Sequence, residues 1–308
     1  MCSLKNRHLP SIGILLAYFN DDKYIGEQIA SILNQTYGNF FIHIFDDASD
    51  DKYVLFLEKF QKEYPNKVKI HRREKNLGFS KNFLTGLNEI PNYDFYAFSD
   101  QDDIWKKTKL QTYLEIYEEQ SGNLDLIGAS SILIDSNGKI LGKGKRISNS
   151  TSTKDILVRN PCGGNTMMFT HKIRELLKEL KVDVPYHDWI TIILASIQSN
   201  KIKLLQTESI YYRIHENNIE GNIRSFKILL KKFSYVFSGQ YKKNLRINLR
   251  AVQSLTLQHS DETAKMLRDF NIFLNGSLKN RLLQFYKNGF WSSSYLVRFV
   301  LFITIFIN

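Results

Sequence analysis

The chain has 308 residues, 43% of them hydrophobic, with 42 Lys and Arg against 31 Asp and Glu for a net charge of +11. That size and apolar content can bury a sizeable core, which excludes a disordered chain and favours one large domain with a smaller appendage. Only Cys2 and Cys162 are present, so no disulfide framework is expected and a cytoplasmic setting is.

The charge is unevenly placed. Residues 221–308 hold 14 Lys and Arg against Asp261, Glu262 and Asp269, so this stretch carries the whole surplus and the first 220 residues are formally neutral. Such a division assigns a polyanion or an anionic membrane to the tail rather than to the first half.

In chain order, residues 12–17 read as a buried strand. The apolar run to residue 19 stops at Asn20-Asp21-Asp22, which suits a strand better than a secretory signal. Tyr24, Ile25, Gln28, Ile29, Ile32 and Leu33 follow at helical spacing. Residues 40–45 form a second strand, running into an acidic loop at 46–51 and a helix through Leu55 and Phe60. Residues 68–71 are a third strand, 78–90 a helix and 95–98 a fourth strand. This alternation predicts an α/β fold built on a mostly parallel, doubly wound sheet, which binds ligands beyond the carboxyl ends of its strands. The polar clusters at 18–20, 46–47, 72–76 and 100–103 each follow a strand, so all four converge on one crevice.

Further on, Asn137-Gly138 marks a hairpin between apolar runs at 124–133 and 139–141. A Gly-Gly-Asn turn at 163–165 precedes a strand at 166–169 and a charged helix to about residue 180. Pro185-Tyr186-His187-Asp188-Trp189 opens an apolar helix, and a strand at 209–213 closes the domain. The expected division is a catalytic domain over 1–222 and a basic, mainly helical region over 223–308.

The densest chemistry lies in Ser99-Asp100-Gln101-Asp102-Asp103-Ile104-Trp105. Three acids in four positions repel one another, and a divalent cation or cationic ligand offsets that repulsion. A solvated turn capping a helix that starts near Trp105 is the competing reading. No Gly-x-x-x-x-Gly-Lys-Ser/Thr or Gly-x-Gly-x-x-Gly loop follows the first strand, so carboxylates plus Mg²⁺ or Mn²⁺ are the available means of handling a nucleotide diphosphate.

The ordered segments SIGILLAYFNDDKYIGEQIASILNQTYGNF, IFDDASDD, NLGFSKNF, FSDQDDIWKKTKL, NPCGGNTMMF, PYHDWITIILA and YYRIHENNIEGN resemble the inverting family-2 glycosyltransferases of the GT-A fold. The last three are most similar to bacterial rhamnosyltransferase-like members that build surface polysaccharides. The resemblance implies a metal-dependent transfer, with inversion, of a sugar from a dTDP- or UDP-linked donor to a glycan or lipid-linked glycan acceptor.

It makes Tyr18 and Asp47, with Asp46 nearby, contacts for base and ribose, and has Asn76, Lys81 and Asn82 line the nucleotide pocket. Lys81 stands where many relatives have Arg, keeping the charge but losing the bidentate fork. Asp102 is then the direct metal ligand, Asp100 a metal or nucleotide contact, Gln101 part of the donor site and Asp103 a group facing the donor sugar. His215 is either a ligand to the metal or diphosphate or a loop histidine with no ligand role; His71 and His187 read as structural.

Displacement at an anomeric carbon needs a base opposite the leaving diphosphate, and the resemblance assigns it to Asp188. Trp189 would stack on the acceptor sugar, with Gly164 and Asn165 beside it. The competing reading of 187–189 is a helix N-cap packed by a core Trp. That of 163–165 is a simple turn into the next strand.

In the tail, Ile223, Phe226, Leu230, Phe233 and Phe237 recur at helical spacing with Arg224, Lys227 and Lys231 on another face. Residues 299–307 are almost wholly apolar, though short of the ~20 needed to span a bilayer. Peripheral docking on the inner face of the membrane, where a lipid-linked acceptor would sit, and packing on a partner subunit as a homodimer are both open. A sugar nucleotidyltransferase would normally open with a Gly-rich basic loop, which this chain lacks. A nucleic-acid-binding protein would leave the acidic clusters unexplained, so no nucleic acid is expected.

Overall fold

The computed structural model of the protein describes residues 9–148, 151–198, 201–215, 234–257, 260–289 and 291–307. Four parallel strands come first, in the spatial order β3 (Val68–Arg72), β2 (Phe40–Asp46), β1 (Ile12–Tyr18) and β4 (Phe95–Ser99). Helices α1 (Ile25–Leu33), α2 (Asp51–Glu63) and α3 (Phe79–Glu89) make the crossovers that parallel pairing requires. Because both faces are covered, β1 is a continuous apolar run. Its side chains still sort by the two-residue period. Ile12, Ile14 and Leu16 enter one core with Ile25, Ile29 and Ile44, and Leu15 enters the other with Phe83 and Phe98.

Beyond β4 the direction reverses. β8 (Met168–Thr170) runs antiparallel between β4 and β6 (Leu126–Ile134), and β6 then pairs in parallel with β9 (Ile202–Arg213). β5 (Ile104–Trp105) closes the edge antiparallel to β9. The α/β sheet is therefore mixed, parallel where strand and helix alternate and largely antiparallel afterwards. β7 (Ile140–Lys143) folds back on β6 with Gly138 at φ 81°, as the Asn-Gly pair predicts.

Local departures have local causes. No helix starts near Trp105, because Ile104 and Trp105 pair with Tyr211 and Ile210 of β9. The helix α4 (Lys109–Glu119) begins after that bridge. The strand expected from residue 209 starts at Ile202, because β6 pairs along most of its length. Helix α5 (Thr153–Val158), capped by Ser152, lies in a stretch with no periodic signal. The basic segment expected over 223–237 lies, up to residue 233, outside the described residues, as does the expected boundary at 222.

Helices α6 (His171–Lys178) and α7 (His187–Gln198) complete the first part of the chain. The C-terminal region is helical, comprising α8 (Gln240–Gln253), α9 (Asp261–Asn275), α10 (Leu278–Lys287) and α11 (Tyr295–Phe306). Among the described residues no helix is long and apolar enough to cross a membrane. Leu245, Phe270, Trp291 and Leu301 belong to the same buried cluster as Leu15, Ile156 and Trp189. The C-terminal helices therefore share a core with the sheet rather than hanging from it.

Buried Asp155 of α5 pins the two parts together. It accepts from Ser292 Oγ at 2.6 Å, from the Ser293 N–H at 3.2 Å and from Ser293 Oγ at 3.1 Å. Burial alone would raise the Asp155 pKa, but hydrogen bonds from Ser292 and Ser293 and the charge of Arg159 outweigh it and hold the carboxyl below its usual range. Asp155→Ala strips these donors of a charged acceptor and should lower the unfolding free energy by about 2–4 kcal/mol. A depressed carboxylate pKa contributes stability above the ordinary carboxylate range and loses it as pH falls through the folded-state value. The gap between wild type and variant, read by urea denaturation at neutral and acid pH, should shrink in acid.

Candidate active site

Strand register brings the polar loops to one edge. Tyr18 pairs with Asp46 and Asp46 with Arg72, while Leu16 pairs with Ser99. The loops after β1, β2, β3 and β4 thus open at the same carboxyl edge, where doubly wound sheets bind ligands. The cleft there has a volume of about 530 Å³ and is bordered by Tyr18, Asp47, Asp100, Asp102, Gly164 and Asp188 among others, a size suited to a small-molecule site. A second depression of about 590 Å³, lined by Ser11, Asp94 and His171, lies at the opposite edge and includes none of the expected site residues.

The floor is acidic. Asp102 Oδ2 lies 2.8 Å from His215 Nε2, and the His215 ring stacks on Tyr24 at 5.2 Å. Burial, then the charges of Asp102 and Asp188, push Asp100 up to about 7. Burial raises Asp102 as well, with His215 opposing. Gln101 binds both main-chain groups of Phe19, accepting from its N–H at 2.7 Å and donating to its carbonyl at 3.2 Å.

Asp103 departs from its expected place. Its side chain is fully buried, accepting from Asn165 Nδ2 at 2.5 Å and from the Arg213 N–H at 3.2 Å, and does not border the cleft. Burial and the Asp102 and Asp100 charges raise its pKa well above the usual range. Beside it lie two buried basic residues that the sequence reading missed. Lys109 is 2% exposed, donates to the Asn165 carbonyl at 2.6 Å and lies 3.4 Å from the Trp105 ring centroid. Arg213, also 2% exposed, donates to the Asp102 carbonyl at 2.9 Å and pairs with Glu27. The available signal for Lys109 was a lysine four residues from both Trp105 and Tyr113, on the apolar face of α4.

On the nucleotide side, Tyr18 is buried and donates to the Asp21 carbonyl at 2.5 Å. Both oxygens of Asp47 are engaged, by the N–H groups of Leu77 at 2.7 Å and Gly78 at 2.9 Å. Asn76 accepts from the Gly78 N–H at 3.0 Å, and Asn82 donates to the Phe45 carbonyl at 2.8 Å; both border the cleft. Asp46 and Lys81 do not. Asp46 turns beneath its loop, accepting from the Ser49 N–H at 3.0 Å with Arg72 Nε 3.5 Å away. Lys81 points outward and pairs with Asp183 at 2.8 Å, because its neighbours Ser80 and Asn82 hold the buried face of α3.

Asp188 also borders the cleft, from the first turn of α7. Its Oδ1 accepts from the Trp189 N–H at 2.7 Å, and its Oδ2 from Asn160 Nδ2 at 2.8 Å and the Gly164 N–H at 3.2 Å. Gly164 has no room for a side chain, since a Cβ there would meet His187 Nε2 at 2.9 Å and Asp188 Cβ at 3.0 Å. Trp189 turns away from the cleft into the core, donating its indole N–H to the Ile156 carbonyl at 2.7 Å. His187 is packed between Phe83 and Phe98, and burial pushes it down to about 3.

Among the described residues no three His, Cys, Asp or Glu side chains are already gathered around a cation position. The donor chemistry nonetheless fits a hard divalent ion. Asp100, Asp102 and the imidazole of His215 offer oxygen and nitrogen ligands, with Asp102 Oδ2 and His215 Nε2 already 2.8 Å apart at the cleft. Waters and phosphate oxygens would complete the shell.

A carboxyl whose pKa is raised by folding binds protons more tightly in the folded chain, so its contribution to stability is greatest in acid and declines as pH rises. For Asp100 the decline runs from the ordinary carboxylate range to about 7. Asp100→Asn mimics the protonated acid. In EDTA its Tm should match wild type below pH ~4, exceed it increasingly as pH rises to about 7, and keep a constant lead above that. A Tm difference that does not change between pH ~4 and about 7 contradicts the burial argument.

The sequence of residues 14–178 matches the family model "Glycosyl transferase family 2". The chain is 27% identical to the dTDP-rhamnosyl transferase RfbG of Shigella flexneri over 243 residues, covering 75% of this chain and 82% of that one. It is 24% identical to the beta-1,3-glucosyltransferase WfgD of Escherichia coli, covering 76% and 87%. Among solved structures, TarS of S. aureus in complex with UDP-GlcNAc superposes with a TM-score of 0.59 at 18% identity, covering 91% of this chain and 80% of that one. The mannosyltransferase PcManGT from Pyrobaculum calidifontis, in complex with GDP-Man and Mn²⁺, gives 0.55 at 13%, covering 96% and 86%. With the family model spanning more than half of its length, this chain belongs to glycosyl transferase family 2 and has the GT-A fold.

Proposed function

We propose that this glycosyltransferase moves a sugar, with inversion, from a dTDP- or UDP-linked donor to a glycan or lipid-linked glycan acceptor of a bacterial surface polysaccharide. Rhamnose is the sugar we favour, on the likeness to RfbG. The observation that carries the reading is the gathering of Asp100, Asp102 and Asp188 around one cleft.

In this reading Tyr18, Asp47, Asn76 and Asn82 border the nucleotide, and the diphosphate lies over Asp100 and Asp102. Asp100, Asp102 and His215 would hold Mg²⁺ or Mn²⁺, which when bound neutralises charge on the departing diphosphate. Asp188 takes the proton from the acceptor hydroxyl as its oxygen forms a bond to the anomeric carbon. The bond from that carbon to the diphosphate oxygen breaks, and its electron pair leaves with the nucleotide. Three N–H donors fix the plane of the Asp188 carboxylate, so its proton-accepting lone pairs point in a defined direction.

Asp188→Asn keeps size and polarity but cannot accept the proton. Donor affinity should survive while turnover falls by on the order of 10²–10⁴; wild-type turnover in that variant sinks the assignment. Separately, titration calorimetry should find UDP or dTDP bound more tightly with Mn²⁺ than with EDTA, and Asp102→Ala should erase the difference. Equal affinity in both buffers removes the metal from the scheme.

A further inference from the structure

The last helix carries an aromatic row that stands largely exposed. Tyr295, Phe299, Phe302 and Phe306 recur at i, i+4, i+7 and i+11 of α11 and are 84%, 54%, 38% and 57% exposed, with Leu296 beside them at 72%. The opposite face of α11 does the packing, through Leu301, Thr304 and Ile305. An apolar row of this length is costly in water and marks an interaction surface.

The surroundings of the row say which partner suits it. α10 and α11 form an antiparallel hairpin, Arg281 donating to the Ile305 carbonyl at 3.0 Å and Phe285 lying 6.0 Å from Phe302. Exposed Lys279 and Lys287 therefore stand toward opposite ends of the row. At the carboxyl end of α11, Lys242 donates to the Ile307 carbonyl. Arg246 donates to the Leu274 carbonyl and the Asn275 amide oxygen, and Arg281 also to the Gly276 carbonyl. None of these acceptors is charged. From Gln240 onward ten Lys and Arg face three Asp and Glu, so the helical region that carries the exposed aromatic face has a surplus of positive charge. A second copy of the chain would bring the same surplus and be repelled.

We infer that the α11 aromatic row and its cationic surround dock on an anionic phospholipid bilayer. The rings enter the headgroup boundary and the lysines meet the phosphates. At twelve residues, or about 18 Å, α11 is too short to cross the ~30 Å hydrocarbon layer and lies along its surface. The inference does not depend on the transfer chemistry, since none of its residues borders the cleft.

The test uses the full chain and sedimentation with two vesicle preparations, phosphatidylcholine alone and phosphatidylcholine mixed with phosphatidylglycerol. Wild type should pellet with the mixed vesicles and not with the neutral ones, less so as salt rises. Phe299→Ser combined with Phe306→Ser should lower the partition coefficient by about tenfold or more. Both positions are exposed, so the folded fraction should hold, and an unchanged Tm confirms that. Lys279→Glu combined with Lys287→Glu should weaken binding to the mixed vesicles without touching the apolar row. Equal pelleting of wild type and the Phe variant overturns the inference. So does failure of wild type to pellet, and so does a dimer in light scattering that the Phe variant dissociates while no vesicles bind.

Discussion

Three carboxylates within four positions crowd the end of β4, two at the cleft floor and Asp103 buried beneath it, and the surrounding structure is organised by how that crowding is accommodated. Lys109 and Arg213 are both buried beneath them, and each reaches the cluster from a different element, α4 and β9. Neither side chain meets the acids in a simple pair. Lys109 spends its hydrogen bond on the Asn165 carbonyl, and Asn165 in turn donates to Asp103. Arg213 offers its main-chain N–H to Asp103 and its guanidinium to the carbonyl of Asp102. Burial favours the uncharged forms of both Asp103 and Lys109, and removing either basic side chain strips a buried hydrogen-bonded network of a donor.

That arrangement explains the reach of the cluster. The turn carrying Gly164 and Asn165 is tied to Asp103 on one side and to Asp188 on the other. The floor and the wall of the cleft are thus parts of one hydrogen-bonded frame, continuous from the end of β4 to the start of α7. The C-terminal helices reinforce it from behind. Asp155 on α5 holds Ser292 and Ser293, while Ile156 of the same helix accepts from the indole of Trp189, next in sequence to Asp188.

The parallel half of the sheet was legible because each strand is an apolar run ending in polar residues, a pattern that backbone geometry alone decodes. The convergence of Asp47, Asp100 and Asp102 on one cleft followed from it. What sequence could not convey was the direction in which individual side chains turn. Asp102 and Asp103 are adjacent, yet in the bend after β4 one borders the cleft while the other turns inward to Asn165 and Arg213. Trp189 follows the same logic on α7, where a step of one residue takes the side chain from the cleft wall into the core. β8 was read as a strand, but its antiparallel placement depends on contacts between residues far apart in the chain. Helix α5 was invisible because six residues are too few to establish a period.

Gln101 offers a final consequence. Its amide grips Phe19 through both the N–H and the carbonyl, much as a neighbouring strand would, and its Nε2 also lies 3.2 Å from Asp21 Oδ2. The loop after β1, which carries the surroundings of Tyr18, and the loop after β4, which carries Asp100 and Asp102, are therefore joined by a side chain acting as backbone. A displacement of one loop is felt at the other. Were ligand groups to bind at the Tyr18 end and over the carboxylates, whatever affinity the first lent the second through this link would be returned in equal measure.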